Sequence, residues 1–433
     1  MKKFISNINN NLLLKGNPPN NNTVLAKILA GIITSKVIAV LIGAEGMALI
    51  GNMRSFLNSI HSFSVLGLYK GVVKFIAEQK NEEVTLSKSL STAFYLGFLS
   101  TILLSFLSYY NASEINDFLF SNNYDYAYII KILALALPFY ALNMFSFSIL
   151  EGFSKHKILS IISIMGQVLG LLVTVLLIYQ DNIDGALIAV VISPSLVFLI
   201  TLVGFLNRKS LVSQIKMSRM SFSVLKRVEP FAITALVSAV ALPFVSILIR
   251  NYIIDAVGIR EAGYWEAMNR ISDYYLMFVM SLMTYYVLPK FKNIQSKTEF
   301  KKKIKEIYKT TIPAFLVGLI ILYFLRSLVV IIIFNEDFKP VENLFLWQLL
   351  GDFIKVLSFV VAYQFVAKQM FAHFIIIEVF LVLVMYFTSA YFIDYYGVKG
   401  AVLGHFFSYL MYFLITLLML WSSLFGVDQE LES

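Results

Sequence analysis

The stretch ILSIISIMGQVLGLLVTVLLIYQ, residues 158–180, decides the fold, because it runs for 23 residues without an Asp, Glu, Lys or Arg. At a rise of about 1.5 Å per residue, a helix of this length crosses the roughly 30 Å of hydrocarbon in a bilayer. Three further runs share this lack of charge: 89–113, 185–207 and 406–427. These runs predict a polytopic helical membrane protein, since the alternating ten-residue segments of a membrane barrel do not occur.

The composition supports this interpretation and excludes other classes of protein. Of the 433 residues, 59% are hydrophobic and 14% are charged, and the mean hydropathy is +0.78. A soluble domain is about half apolar and about a quarter charged, so a soluble enzyme, a disordered chain and a DNA-binding domain are excluded. The chain has no Cys and four scattered His residues, so neither a metal site nor a cofactor is expected.

Twelve membrane-spanning helices are predicted, in two lobes of six helices each. The spans are 23–43, 47–75, 89–110, 127–150, 158–179, 185–206, 229–250, 263–288, 310–333, 343–366, 374–393 and 399–424. The predicted organisation is an N-terminal tail (1–22), an N-lobe (23–206), a linker (207–227), a C-lobe (228–424) and a C-terminal tail (425–433).

The distribution of Lys and Arg predicts how these helices are oriented. One set of connections carries most of them, including Lys2, Lys3, Lys155, Lys157, Lys368 and the Lys-rich run 290–309. The alternate connections are acidic, with Arg260 and Lys339 as the main exceptions. Because basic loops remain in the cytoplasm, both termini and the linker are predicted to be cytoplasmic. The net charge of +9 is thus explained by topology and anionic headgroups, and nucleic acid is not expected as a partner.

The two halves of the chain resemble each other at a spacing of 215 to 217 residues. The segment GALIAVVIS, which begins at Gly185, corresponds to GAVLGHFFS, which begins at Gly400, and Arg54 corresponds to Arg270. The shared offset predicts a duplication of six helices. Because six is even, the two repeats enter from the same side and are parallel.

Polar and charged side chains within the spans form three stripes at spacing i, i+4, i+7, which is one face of a helix. The stripes are Arg54, Asn58 and His61; Glu266, Arg270 and Asp273; and Gln348, Asp352 and Lys355. A charge at mid-bilayer costs about 2.5–3.5 kcal/mol even on lenient scales. The helices that carry these stripes are therefore predicted to line a polar cavity.

Arg54 and Arg270 are predicted to lie about 10–12 Å below the periplasmic ends of repeat-related helices. Because the guanidinium fork suits phosphate oxygens, the two form a candidate pincer for a phosphate-like anion, which Lys36 is placed to join. Further candidates for substrate binding are Asn58, His61 and Lys355, and candidates for binding a coupling ion are Glu266, Asp273 and Asp352.

A structural role for the same charges is the alternative. Glu266 and Arg270 would then pair within one helix, as would Asp352 and Lys355, and each pair would only neutralise itself. Arg250 lies at the end of a predicted span and is expected to reach the membrane surface.

A family resemblance is carried by five segments: LIGAEGMALIGNMRSFLNSI (41–60), FAITALVSAVALPFVSILIR (231–250), GYWEAMNRISDYYLMFV (263–279), YYVLPKF (285–291) and LFLWQLLGDFIKV (344–356). They resemble Wzx-type flippases of the polysaccharide-transporter branch of the MATE-like MOP superfamily, and the similarity spans almost the whole chain. These bacterial proteins move undecaprenyl-diphosphate-linked O-antigen or common-antigen (lipid III) units across the inner membrane.

The resemblance implies two six-helix lobes in a V around a central cavity that works by alternating access. It implies a transporter of an undecaprenyl-diphosphate-linked oligosaccharide in the lipid bilayer, not an enzyme, with a polysaccharide polymerase and a chain-length regulator as partners. The cationic cavity of the family maps onto Arg54 and Arg270, and less closely onto Lys36. Proton antiport is a secondary hypothesis.

Two other functions are kept as alternatives. A drug or cation antiporter of the same superfamily would require an acidic cavity, which the paired arginines do not favour. A membrane polysaccharide polymerase or ligase would require a large periplasmic loop with convergent polar residues, and no such loop is present in the sequence.

Overall fold

The computed structural model describes residues 21–79, 81–120, 124–205, 213–221, 225–282, 296–368 and 370–421, which are helical and contain no β-strand. The predicted C-terminal tail and nearly all of the N-terminal tail lie outside the described residues. So do residues 207–212 and 222–224 of the predicted linker and residues 290–295 of the Lys-rich run.

Fourteen α-helices occur in the described ranges: α1 (Asn21–Leu41), α2 (Gly43–Ser64), α3 (Leu68–Gln79), α4 (Glu83–Tyr110), α5 (Ala112–Phe120), α6 (Ala127–Gly152), α7 (His156–Phe205), α8 (Leu225–Ala256), α9 (Ile259–Leu282), α10 (Lys297–Phe324), α11 (Arg326–Ile333), α12 (Phe345–Ala367), α13 (Phe371–Tyr396) and α14 (Val398–Met419). Two 3-10 segments, Met217–Arg219 and Glu336–Leu344, lie before α8 and α12.

Nine stretches of the described chain are long and apolar enough to cross a membrane. One of them is α7, whose 50 residues bend at Asp181 and Asn182, where the backbone angles are not helical. The bend divides α7 into two segments that each match one predicted span. The helices α2 and α9 are not among the nine, because they carry many of the polar and charged side chains identified above.

Two predicted spans are interrupted in the structure. The predicted span 47–75 divides into α2 and α3, since Leu66 and Gly67 adopt positive φ angles of 50° and 62°. A left-handed residue cannot continue a right-handed helix, so the axis changes direction there. The predicted span 310–333 likewise divides at Leu325 into α10 and α11. The hydropathy of the sequence continues without interruption through both positions, so it does not reveal either break.

The two halves of the chain meet along α2. Within the N-terminal half, α6 packs on α4 and α7, and α1 packs on α7; within the C-terminal half, α14 packs on α12 and α13, and α13 packs on α8. α2 packs on α8 and α9 of the other half. The approach is close at Gly263, where an added Cβ would lie 1.9 Å from the carbonyl oxygen of Ala44. The halves therefore touch near the start of α2, at the end predicted to be periplasmic.

Candidate functional site

A cavity of about 680 Å³ lies between the two halves, and residues from α1, α2, α7, α8, α9, α12, α13 and α14 line it. This volume falls within the roughly 300–1,000 Å³ typical of small-molecule sites. All nine residues of the three sequence stripes line it: Arg54, Asn58, His61, Glu266, Arg270, Asp273, Gln348, Asp352 and Lys355. The helical spacing in the sequence thus identifies side chains that the fold brings to one cavity.

The cavity is closed at the end where α2 begins. Its lining along α2 starts at Gly51 and continues to His61, and on α1 it includes Lys27 near the first turn. At the closed end, the hydroxyl of Tyr124 donates to Glu45 Oε1 at 2.5 Å, which fastens the segment before α6 to the start of α2. Partial burial and this hydrogen bond raise the pKa of Tyr124 to about 12.

Glu266 lies at the centre of a buried ionic network at the closed end. Its Oε2 is 2.5 Å from Arg250 Nη2, and its Oε1 is 3.1 Å from Arg270 Nε. The side chains of Arg250 and Arg270 are only 2% and 3% exposed. One carboxylate therefore compensates two buried guanidinium groups. The alternative pairing of Glu266 with Arg270 is confirmed, but it is only half of the arrangement.

The two arginines also connect the halves of the chain. Arg250 Nη1 donates to Asn52 Oδ1 at 2.7 Å, and Arg270 Nη1 donates to the Ser35 hydroxyl at 3.2 Å. Asn52 in turn donates to the Leu119 carbonyl at 2.6 Å. The ionic network is thus also the polar part of the contact between the lobes. The expectation that Arg250 reaches the membrane surface is wrong, because α8 continues to Ala256 and buries this side chain.

Two donors of this network are left over. Arg250 Nε and Arg270 Nη2 are buried and make no hydrogen bond with the described residues. Arg54, one turn beyond Gly51 on α2, is half-buried, lines the cavity and forms no ion pair with any residue that the structure describes. Of the two predicted pincer residues, Arg54 is therefore the one whose charge is available to a ligand.

A second buried polar cluster lies on the C-terminal half of the cavity wall. Asp352 Oδ1 is 3.0 Å from His405 Nε2, and the hydroxyl of Tyr275 donates to Asp352 Oδ2. Lys355 Nζ lies 5.1 Å from the centroid of the Tyr409 ring. Among the described residues Asp352 therefore pairs with His405, and the expected intrahelical pair with Lys355 does not form.

The structure separates Lys36 from the other predicted site residues. Its Nζ donates to the backbone carbonyls of Ile331 and Phe334, near the end of α11. Lys36 is not among the residues that line the cavity. Asn58 is exposed to the cavity, whereas the ring of His61 stacks on Tyr140 with 3.5 Å between centroids.

The sequence profile of the family described as "Polysaccharide biosynthesis protein" matches residues 37–343, well over half of the chain. The chain belongs to this polysaccharide biosynthesis family. The match includes α2, α8 and α9, and with them Arg54, Arg250, Glu266 and Arg270.

Two named relatives of this polysaccharide biosynthesis protein cover nearly its whole length. It is 25% identical to the lipid III flippase of Escherichia coli K12 over 393 residues. This alignment covers 90% of this chain and 94% of the relative. The lipid III flippase of Shigella flexneri matches to the same extent.

Solved structures show the same fold at low sequence identity. An inward-facing MATE multidrug transporter of the MOP superfamily is 13% identical, with a TM-score of 0.76 over 93% of this chain and 95% of the other. The lipid II flippase MurJ, in an inward closed conformation, is 16% identical, with a TM-score of 0.68 over 92% of this chain and 85% of the other. The polysaccharide biosynthesis protein thus has a MATE-like all-helical fold.

Sequence reasoning missed three residues of the site in this polysaccharide biosynthesis protein. Arg250 was assigned to the membrane surface, and Tyr275 and His405 were not assigned to the site. His405 lies one turn before Ser408 in the repeat segment that begins at Gly400. A polar residue at that position in an otherwise apolar helix was the available signal.

Proposed function

We propose that this polysaccharide biosynthesis protein is a flippase that moves an undecaprenyl-diphosphate-linked oligosaccharide from the cytoplasmic to the periplasmic leaflet of the inner membrane. The proposal includes twelve spans in two parallel six-helix lobes, both termini in the cytoplasm, and alternating access between the lobes. The contact of the lobes at the start of α2 supports a cavity that opens towards the cytoplasm in this conformation.

The charge of the cavity carries the proposal. Five basic and three acidic side chains line it, so the cavity has an excess of positive charge. Arg54 in particular lines the cavity and has no ion-pair partner among the described residues. A diphosphate carries about two negative charges and oxygens that accept from a guanidinium fork. The similarity to lipid III flippases over 90% of the chain supports the same substrate class.

Flipping of this substrate does not require ATP. Moving negative charge outward across an inside-negative membrane gains roughly 2.3 kcal/mol per charge per 100 mV. The lipid tail remains in the bilayer between the lobes, and the sugars and diphosphate pass through the cavity. Return of the empty carrier would be coupled to an ion, for which Glu266, Asp273 and Asp352 are the candidates.

The glycan and the partner proteins are finer parts of the proposal. The named relatives favour a common-antigen unit over an O-antigen unit. A polysaccharide polymerase and a chain-length regulator would act on the flipped units.

A drug or cation antiporter shares the fold, since a MATE multidrug transporter is among the structural neighbours. The cationic cavity favours the flippase, because a cation carrier gains nothing from Arg54.

Replacing Arg54 by Ala is expected to abolish most transport and to leave folding intact. Among the described residues the side chain makes no ion pair, so its loss removes contacts with the ligand and only longer-range electrostatic interactions with Glu266, Asp273 and Arg270. A charge-assisted hydrogen bond contributes about 1.5–3 kcal/mol, or roughly 10- to 100-fold in affinity. The measurement is surface polysaccharide in a bacterial strain that lacks its own flippase, together with the amount of protein in the membrane.

Arg260→Ala is the matched control, because Arg260 is an exposed arginine at the first turn of α9 and does not line the cavity. It should restore polysaccharide like the wild type. Normal complementation by Arg54→Ala at equal expression would contradict the role of Arg54. Failure of the wild type in hosts that offer several repeat units would contradict the flippase function itself.

A further inference from the structure

The pair of Asp352 and His405 has no evident use in binding a diphosphate. The Asp352 side chain is 0% exposed, whereas His405 is 14% exposed and lines the cavity. An isolated buried carboxylate is costly, and the imidazole is its more exposed partner in the cavity wall. The arrangement places a titratable group between a buried charge and solvent.

The surroundings of Asp352 suit a proton better than a metal ion. Oδ1 contacts His405, and Oδ2 accepts from Tyr275 and, at 3.4 Å, from Gln348 Nε2. Both oxygens are thus occupied by N–H or O–H groups. In the part of the chain that the structure describes, there is also no group of three or more His, Cys, Asp and Glu residues that could hold a metal.

Charged and titratable groups from several helices surround the pair. The groups that interact with Asp352 are Asp273 and Tyr275 on α9, Lys355 on α12 and Tyr409 on α14, whereas Glu378 on α13 acts on Lys355. Three carboxylates therefore interact with a single lysine, and Arg54, Glu266 and Arg270 interact with Asp273.

One helix connects this pair to the contact between the lobes. Tyr275 lies on α9, five residues after Arg270, and the same helix carries Glu266 and the close contact at Gly263. A change in the hydrogen bond between Tyr275 and Asp352 therefore acts on the helix that holds the lobes together.

We propose that Asp352 and His405 form a proton-binding site, which the cavity reaches through His405. Binding of the proton shifts the equilibrium between the conformation closed at the start of α2 and one that is open there. The link to return of the empty carrier rests on the proposed function, but the proton-dependent equilibrium does not.

The test uses spin labels on the full-length protein. Because the chain has no Cys, Lys155→Cys and Lys368→Cys create the only two reactive sites, both at exposed positions of different lobes. Pulsed electron paramagnetic resonance then measures the distance distribution between the labels from pH 5 to pH 8.5, in lipid nanodiscs. We expect two populations whose ratio changes with pH around a single midpoint.

The variants His405→Gln and Asp352→Asn should remove this pH response. The controls His156→Gln and His373→Gln remove the two histidines outside the cavity and should retain it. Gly351→Ala is a second probe, since its Cβ would lie 2.4 Å from His405 Cδ2 and displace the ring without removing a titratable group. Gly351→Ala should move the midpoint of the pH response.

An unchanged midpoint in His405→Gln and in Gly351→Ala would overturn the proposal, as would a wild type whose distances do not depend on pH. Complementation is measured on the same variants. If the wild type restores no polysaccharide but His405→Gln still removes the pH response, the flippase proposal fails and the proton site stands. If the wild type restores polysaccharide but its label distances do not depend on pH, the proton site fails and the flippase proposal stands.

Discussion

Glu266→Gln is expected to lower the free energy of unfolding by about 3–5 kcal/mol, because it leaves two buried guanidinium groups without their carboxylate. Arg250 and Arg270 are almost fully buried, and each already has one donor without a hydrogen-bond partner among the described residues. A neutral amide keeps the shape of the side chain and removes its charge. The loss should therefore report on the ionic network and not on packing.

Thermal unfolding in detergent, followed by tryptophan fluorescence, measures this effect. Trp265 is a local reporter, because the Arg250 guanidinium lies 5.3 Å from the centroid of its ring. Glu82→Gln is the matched control: Glu82 is exposed and makes no capping hydrogen bond to α4. Its effect should stay within about 0.5 kcal/mol of zero. A similarly small effect of Glu266→Gln would refute the central role of this carboxylate.

Gly263→Ala is expected to reduce transport strongly by preventing the close approach of α9 to α2. The added Cβ would lie 1.9 Å from the carbonyl oxygen and 2.5 Å from the carbonyl carbon of Ala44. These are backbone atoms, so no side-chain rotation relieves the overlap. Overpacking of this kind costs about 1–3 kcal/mol, which corresponds to roughly 5- to 150-fold in the population of the closed conformation.

Gly318→Ala provides the comparison for this prediction. Gly318 lies within α10, and an added Cβ there meets no atom within 4 Å. Alanine in the interior of a helix is more favourable than glycine by roughly 0.5–1 kcal/mol, so this variant should be neutral or more stable. The measurement is the amount of surface polysaccharide that each variant restores at equal expression. Gly263→Ala should restore much less than Gly318→Ala. Equal complementation by both would show that the contact at Gly263 is dispensable.

The parts of the structure that follow from one helix at a time were predictable from the sequence. Uncharged runs identify helices, because spanning hydrocarbon requires a fixed length of apolar side chains. The spacing i, i+4 places Glu266 and Arg270 on one face, and they are indeed paired. For the same reason, the three polar stripes that share a helical face all reach the cavity.

The parts that depend on how helices rotate against each other were not predictable. Arg250 and Glu266 are 16 residues apart, on α8 and α9, and Asp352 and His405 are 53 residues apart, on α12 and α14. A single sequence does not state which faces of two helices meet. Lys36 illustrates the same limit, since its depth in α1 matches the pincer but its side chain is directed to α11.

The sharing of Glu266 between Arg250 and Arg270 has an evolutionary consequence. Replacing Glu266 alone leaves two unbalanced guanidinium charges inside the membrane, so this single substitution should be harmful even where its loss together with that of the arginines is tolerated. Residues in one ionic network show interaction energies of about 0.5–3 kcal/mol in double-mutant cycles. A lineage that abandons this network must therefore change at least two positions almost together. The three positions should vary as a unit among related sequences, whereas Arg54, which has no ion-pair partner among the described residues, is free to follow the chemistry of the transported glycan.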